Sequence, residues 1–149
     1  MADEKVTKRN EDLLEVIDEI SQEKGYAKSR DIAAALHITP ATVTDGFKRL
    51  HEAGLVNYEP YGGVTLTDEG RCIAQRTRRS HEVLRKLLTL LGVRDDVADH
   101  DACIMEHGLS AESYERLVCL VAFIEECSQD PALKLKYDMI VKDEYEQKQ

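Results

Sequence analysis

The sequence predicts a mainly α-helical protein with one small β-hairpin, in which an N-terminal domain precedes an all-helical domain. Three observations support this fold class. Apolar residues recur at helical spacing over most of the 149 residues. The pair Thr39-Pro40 is a strong helix start signal in the first third of the chain. Two short β-prone segments, 55–58 and 64–66, flank a stretch that contains proline and glycine.

The first three helices are predicted from their start and stop signals. Helix one spans residues 10–24. Ser29 is the expected N-cap of a short second helix. Thr39 caps a third helix, which stops at Gly54. Two short helices joined by a tight turn are typical of a helix-turn-helix, whose second helix enters the major groove of DNA.

The hairpin follows the third helix directly, which is the position of the wing in a winged helix-turn-helix. This order of elements predicts a DNA-binding domain at residues 1–75 and a helical domain at residues 76–149, to which the candidate ligands and apolar stripe described below assign metal binding and dimerisation. A long helix, about residues 68–91 and capped by Thr67, joins them. The alternative is a small helical domain that carries an unrelated hairpin.

Three more helices are predicted after position 92. The first spans residues 95–107, the second runs from its N-cap Ser110 to about Cys127, and the third opens with Asp130-Pro131. The second helix carries an apolar stripe that predicts a dimer interface, although ordinary core packing is the alternative. The stripe consists of Leu117, Leu120, Val121 and Ile124.

The charge distribution is compatible with DNA binding although the net charge is −9. Residues 1–93 have a net charge of −1, whereas residues 94–149 have a net charge of −8. Residues 71–86 carry six Lys or Arg and one Glu, so the first part can approach phosphates. The sequence has no apolar run of about 18 residues and no signal peptide. The four cysteines show no paired spacing, and a cytoplasmic protein without a membrane partner is expected.

Candidate DNA contacts lie on the third helix, before the second helix and in the wing. Small hydroxyl side chains at the start of the third helix suit phosphates and thymine methyl groups. Lys48 and Arg49 come late in this helix, so DNA shape is expected to contribute to specificity. The candidates are Lys28, Arg30, Thr39, Pro40, Ala41, Thr42, Thr44, Lys48, Arg49 and Tyr61.

A metal site is predicted around residues 103–107. On a helix, Cys103, Glu106 and His107 would share one face, and each of them is a metal-ligand type. A cysteine taken alone is more often an apolar core residue, and the other two types are more often on the surface. Candidates on two further helices raise the number of donors to six, which suits iron or manganese: Asp12, Glu15, His81, Cys103, Glu106 and His107. Six protein ligands leave no open position for a substrate, which argues against an enzyme.

Five segments add a family pattern: EKGYAKSRDIAAAL, TPATVTDGFKRLHEAGLV, YEPYGGVTLTDEG, RRSHEVL and MEHGLS. Together they resemble the diphtheria toxin repressor family, especially its manganese-regulator branch. The resemblance implies a cytosolic homodimer that binds double-stranded operator DNA when Mn²⁺ or Fe²⁺ is bound and that represses metal-uptake genes. It implies no organic cofactor.

The resemblance extends to five of the six candidate ligands and departs at Cys103. The manganese branch has Glu there, whereas the iron-responsive branch has Cys in a similar CxxEH motif. That second branch, however, has Met at the position of Asp12 and Glu at the position of Arg85. The predicted site is therefore a hybrid for Mn²⁺ or Fe²⁺, in which Co²⁺ or Zn²⁺ can substitute. The alternative is a winged-helix regulator that senses thiol oxidation at Cys103 or a small molecule.

Overall fold

The structure is a computed structural model that describes residues 6–146. It confirms a mainly α-helical fold with one two-stranded antiparallel sheet. In chain order the elements are α1 (Lys8–Lys24), α2 (Ser29–Ala35), α3 (Pro40–Glu52), β1 (Val56–Glu59), β2 (Gly63–Leu66), α4 (Asp68–Leu90), α5 (Asp95–Met105), α6 (Ala111–Ser128) and α7 (Pro131–Glu146).

The chain divides into two compact units between Arg79 and Ser80, inside α4. The first unit contains α1 to α3, the hairpin and the start of α4. The second contains the rest of α4 and α5 to α7. The predicted domain boundary between residues 75 and 76 stays a prediction.

The first unit has an apolar core to which α1, α2, α3 and both strands contribute. The ring centroids of Phe47 on α3 and Tyr58 on β1 lie 5.4 Å apart. This aromatic contact packs the wing against the third helix. Val56 pairs with Leu66, and Tyr58 pairs with Val64 in the antiparallel register. The largest completely buried side chains of this core are Leu13, Leu14, Ile17, Ile32, Val43, Phe47, Leu50, Val56 and Val64.

The predicted helix caps are confirmed at three positions and wrong at one. Thr39 accepts a hydrogen bond from the backbone N–H of Thr42 at 3.2 Å, and Ser110 does the same for Ser113 at 3.2 Å. The hydroxyl of Thr67 accepts from the N–H of Gly70 at 3.1 Å. Ser29, by contrast, is the first residue within α2, whose N-cap is Lys28 without a capping side chain. The helix therefore begins at Ser29, one residue earlier than it would if Ser29 were the N-cap.

The predicted helix over residues 95–107 is two residues too long. The structure ends α5 at Met105, and Glu106 is its C-cap in a right-handed helical conformation. The N–H of Gly108 then donates to the carbonyl of Met105 at 3.0 Å, which tightens the last turn. His107 therefore lies in the turn after the helix. The helix face that was expected to carry Cys103, Glu106 and His107 does not extend to all three residues.

The second unit packs around a smaller set of buried apolar side chains, which are Leu84, Leu87, Ala98, Ala102 and Val121. The hydroxyl of Tyr137 on α7 donates to the carbonyl of Leu91 at 3.0 Å, so α7 is attached to the end of α4. Within the described residues, no helix combines the length and the apolar character needed to cross a bilayer.

Candidate metal centre

The end of α5 brings a thiol, a carboxylate and an imidazole together. One donor atom from each of Cys103, Glu106 and His107 lies within 4.8 Å of the other two. His107 Nε2 is 3.2 Å from Glu106 Oε1. Because Glu106 keeps helical backbone angles beyond Met105, its side chain stays on the side of Cys103 although the helix has ended. The three residues therefore lie close together as predicted, although the helix ends at Met105.

A fourth candidate reaches this cluster from α4. His81 Nδ1 lies 3.0 Å from Glu106 Oε2, so the buried carboxylate has an imidazole on each side. The Glu106 side chain is only 2% exposed. A buried carboxylate needs polar or charged partners to offset the loss of hydration, and the two histidines provide them.

The charges around His81 also affect its protonation. Burial lowers the pKa of His81, but a hydrogen bond to Asp99 and the negative charges of Glu106 and Asp99 outweigh burial, so the pKa is raised. A histidine that binds a metal must be neutral at the ligating nitrogen. A metal ion bound by His81 would therefore have to displace a proton from the protonated ring.

The remaining two predicted ligands, Asp12 and Glu15, belong to the first unit. They lie on α1, three residues apart and half-buried, next to the core residues Leu13 and Leu14. Each makes an electrostatic or hydrogen-bonding interaction in the structure. Their membership of the same metal centre stays a prediction.

The predicted DNA contacts lie on the surface of the first unit. Lys48 and Arg49 are exposed on α3, and Tyr61 is completely exposed at the tip of the wing. The hydroxyl of Thr44 donates to the carbonyl of Pro40 at 2.9 Å, and the hydroxyl of Thr39 is used in the helix cap. The remaining candidates, Lys28, Arg30, Pro40 and Ala41, are exposed, and Thr42 is half-buried.

The predicted dimer stripe on α6 divides between two environments. Val121 is buried inside the second unit, whereas Leu120 is 42% exposed. Leu117 and Ile124 are half-buried. Phe123, which the sequence analysis did not select, is 62% exposed. Val121 thus packs inside the subunit, whereas Leu120 and Phe123, its near neighbours in the chain, are exposed.

Two residues near the cluster were missed by the sequence analysis. His81 Nε2 lies 3.0 Å from Asp99 Oδ1, and Asp99 Oδ1 in turn lies 3.6 Å from Nε of Arg85. Asp99 stands four residues before Cys103 on α5, and Arg85 stands four residues after His81 on α4. These two i, i+4 spacings are the sequence signal that could have identified Asp99 and Arg85, because side chains four residues apart share a helix face.

The donor set fits a borderline divalent cation. Cysteine and histidine suit iron, cobalt and zinc, and a carboxylate adds affinity for harder ions such as manganese. One donor atom from each of Cys103, Glu106 and His107 lies within 4.8 Å of the other two. His81 lies beside the Glu106 carboxylate.

Comparison with protein families gives two matches that together span most of the chain. Residues 5–64 match the N-terminal DNA-binding domain of the iron-dependent repressors. Residues 67–132 match their metal-binding and dimerisation domain. The four clustered residues all fall in the second range, and the helix-turn-helix with most of its wing falls in the first.

Individual proteins and structures agree with these matches. A transcriptional regulator MntR of Geobacillus thermodenitrificans is 39% identical over 116 residues, which are 78% of this chain and 82% of that protein. The crystal structure of a T. acidophilum IdeR is 31% identical, with a TM-score of 0.64 over 76% of this chain and 53% of that one. A manganese-dependent transcriptional repressor in complex with manganese is 28% identical, with a TM-score of 0.64 over the same shares.

Proposed function

The chain belongs to the iron-dependent repressor family of metal-dependent transcriptional regulators, and we propose that it represses metal-uptake genes by binding operator DNA as a homodimer when Mn²⁺ or Fe²⁺ is bound. The observation that carries this proposal is the convergence of Cys103, Glu106 and His107, joined by His81, in the unit that matches a metal-binding domain. The other unit carries a helix-turn-helix and a wing, which are suited to DNA.

The metal would be held by His81, Cys103, Glu106 and His107. A divalent cation supplies positive charge that offsets the buried carboxylate and favours the thiolate of Cys103. The Glu106 carboxylate lies 3.0 Å from His81 Nδ1 and 3.2 Å from His107 Nε2, so both imidazoles lie around one carboxylate. The similar manganese-bound repressor supports manganese, whereas Cys103 supports iron, cobalt or zinc as competing ions.

Asp12 and Glu15 are proposed to complete the ligand set from α1. The support is their match to the manganese branch together with the packing of α1. Leu13, Leu14 and Ile17 on this helix are buried against the core of the winged helix. A restraint on α1 is therefore transmitted to α3, the helix proposed to enter the major groove.

The regulatory step would follow from electrostatics. Without a cation, Asp12, Glu15 and Glu106 add like charges that disfavour one compact arrangement of the ligands. Neutralising them restricts the range of positions of the two recognition helices in a dimer, so that both fit successive major grooves more often. By linkage, DNA must tighten metal binding by the factor by which metal tightens DNA binding.

The test is a measurement of DNA affinity with and without metal. A duplex selected by the protein from a random pool in the presence of Mn²⁺ would serve as the operator. We expect Mn²⁺ or Fe²⁺ to increase the affinity of the wild-type protein at least about fivefold, the lower end of typical allosteric coupling. Glu106→Ala should abolish this increase.

Glu112→Ala is the matched control, because Glu112 is an exposed glutamate in the first turn of α6. It should respond to metal like the wild-type protein. Equal DNA affinity with and without metal in the wild-type protein would reject the proposal.

A further inference from the structure

We propose that Asp99 is a positioning residue for the metal centre, which fixes the tautomer of His81 and thereby leaves Nδ1 available as the metal ligand. This inference rests on the proposed metal-dependent function and adds two residues, Asp99 and Arg85, that support the site from outside.

The two ring nitrogens of His81 face two different carboxylates. Nδ1 lies 3.0 Å from Oε2 of Glu106, which belongs to the convergent donor cluster. Nε2 lies 3.0 Å from Oδ1 of Asp99, a residue of α5 outside that cluster. Nδ1 is therefore the nitrogen directed to the donors, and Nε2 is the nitrogen directed away from them.

A neutral imidazole has one N–H donor and one acceptor nitrogen. An ionised carboxylate only accepts hydrogen bonds, so in the metal-free protein Asp99 favours a proton on Nε2 and Glu106 favours one on Nδ1. A metal ion at the cluster would replace the proton on Nδ1, and the neutral ring would then keep its remaining proton on Nε2, in the hydrogen bond to Asp99. Metal-binding histidines usually donate their other N–H to such a carboxylate, which orients the ring and increases its basicity.

The guanidinium of Arg85 lies close to Asp99. The Asp99 side chain is 63% exposed, and an isolated exposed carboxylate would have considerable rotational freedom. Arg85 Nη2 donates to Asp95 Oδ2 at 2.7 Å, and its Nε lies 3.6 Å from Asp99 Oδ1. One guanidinium thus lies beside two carboxylates one turn apart on α5: it is hydrogen-bonded to Asp95, and its positive charge lies near Asp99, which is hydrogen-bonded to His81 of α4.

The first test is metal affinity, measured by competition with a fluorescent chelator using Mn²⁺ and Zn²⁺ as probes. We expect Asp99→Ala to weaken binding about 10- to 100-fold, the usual effect of losing such an outer partner. Asp99→Asn should lose less, because its side-chain oxygen can still accept from Nε2–H. Asp96→Ala is the control, since Asp96 is also an exposed aspartate of the same helix but pairs with Arg94 at 2.9 Å.

The second test observes the tautomer directly. Long-range ¹H–¹⁵N NMR spectra of the Zn²⁺-loaded protein should show protonated Nε2 and metal-shifted Nδ1 at His81 in the wild type. In Asp99→Ala the Nε2–H signal should shift and broaden, an effect that a purely structural role would not produce.

Wild-type metal affinity in Asp99→Ala, or metal bound through Nε2 in the wild type, would overturn the inference while leaving the proposed function intact. Absence of metal binding by the wild-type protein would instead overturn the metal centre and this inference together.

Discussion

At the scale of single residues, the centre depends on which donor stands at position 103. Glu106, His81 and His107 form a carboxylate with an imidazole on either side, an arrangement that several divalent ions accept. Cys103 adds a thiol, which favours softer ions than a carboxylate does. It is half-buried at the end of α5, next to the other donors. We therefore expect metal preference to depend strongly on this side chain.

We predict that Cys103→Glu shifts preference from Zn²⁺ towards Mn²⁺. A carboxylate favours harder ions than a thiolate does, so the ratio of Zn²⁺ to Mn²⁺ affinity should fall at least about tenfold, which corresponds to about 1.4 kcal/mol. Competitive metal titration of the purified protein measures this ratio. Cys72→Ser, at an exposed cysteine of α4, should leave the ratio unchanged. An unaltered ratio in Cys103→Glu would show that the residue is no ligand.

At the scale of elements, the helix ends determine where functional side chains stand. Thr39 caps α3 and Pro40 occupies its first turn, so the start of the proposed recognition helix is well defined. The end of α5 is defined less by side chains than by the bond from Gly108 to Met105, which leaves Glu106 and His107 at the boundary. A helix boundary is thus part of the candidate metal centre.

The two predicted caps of the helix-turn-helix should differ in stability measurements. Thr39→Ala removes a capping bond and should lower the free energy of unfolding by about 1 kcal/mol. Ser29→Ala should have a much smaller effect, because Ser29 stands inside α2 and Lys28 is the N-cap. Urea denaturation followed by circular dichroism compares the two variants. A larger loss in Ser29→Ala would contradict the cap assignment.

At the scale of the whole molecule, the second unit exposes many large apolar side chains. On α6 they include Val118, Leu120 and Phe123, and on α7 they include Leu135 and Met139. Exposed apolar surface of this kind is typical of an interaction site. The family match to a dimerisation domain over residues 67–132 identifies a second copy of the chain as the expected occupant.

We predict that Leu120→Glu weakens the dimer, because a charge would be desolvated in the interface. Sedimentation velocity should show a shift towards monomer at micromolar concentration with unchanged helix content. Val121→Ala should instead lower the free energy of unfolding by roughly 1–2 kcal/mol, since its side chain is buried within the unit. A Leu120→Glu protein that remains dimeric would place the interface elsewhere.

The sequence by itself determined the order of elements, because each depends on local signals: apolar period, cap residues and the turn between two β-prone segments. The family pattern likewise follows from residue identities alone. Three-dimensional packing decided what local signals do not contain. It placed Val121 inside the unit and left Leu120 exposed.

The candidate metal centre likewise combines features that local spacing indicates with features that only tertiary packing determines. The spacing of Cys103, Glu106 and His107 indicated their proximity, because residues three and four apart are neighbours on a helix. The role of Asp99 and Arg85 depends on the packing of α4 against α5, which sets the distance from His81 Nε2 to Asp99 and from Arg85 to Asp95. Residue spacing places Asp99 on the helix face of Cys103 and Arg85 on that of His81. Which of these side chains meet between α4 and α5, at separations of 18 and 10 residues, is specified only by the folded structure.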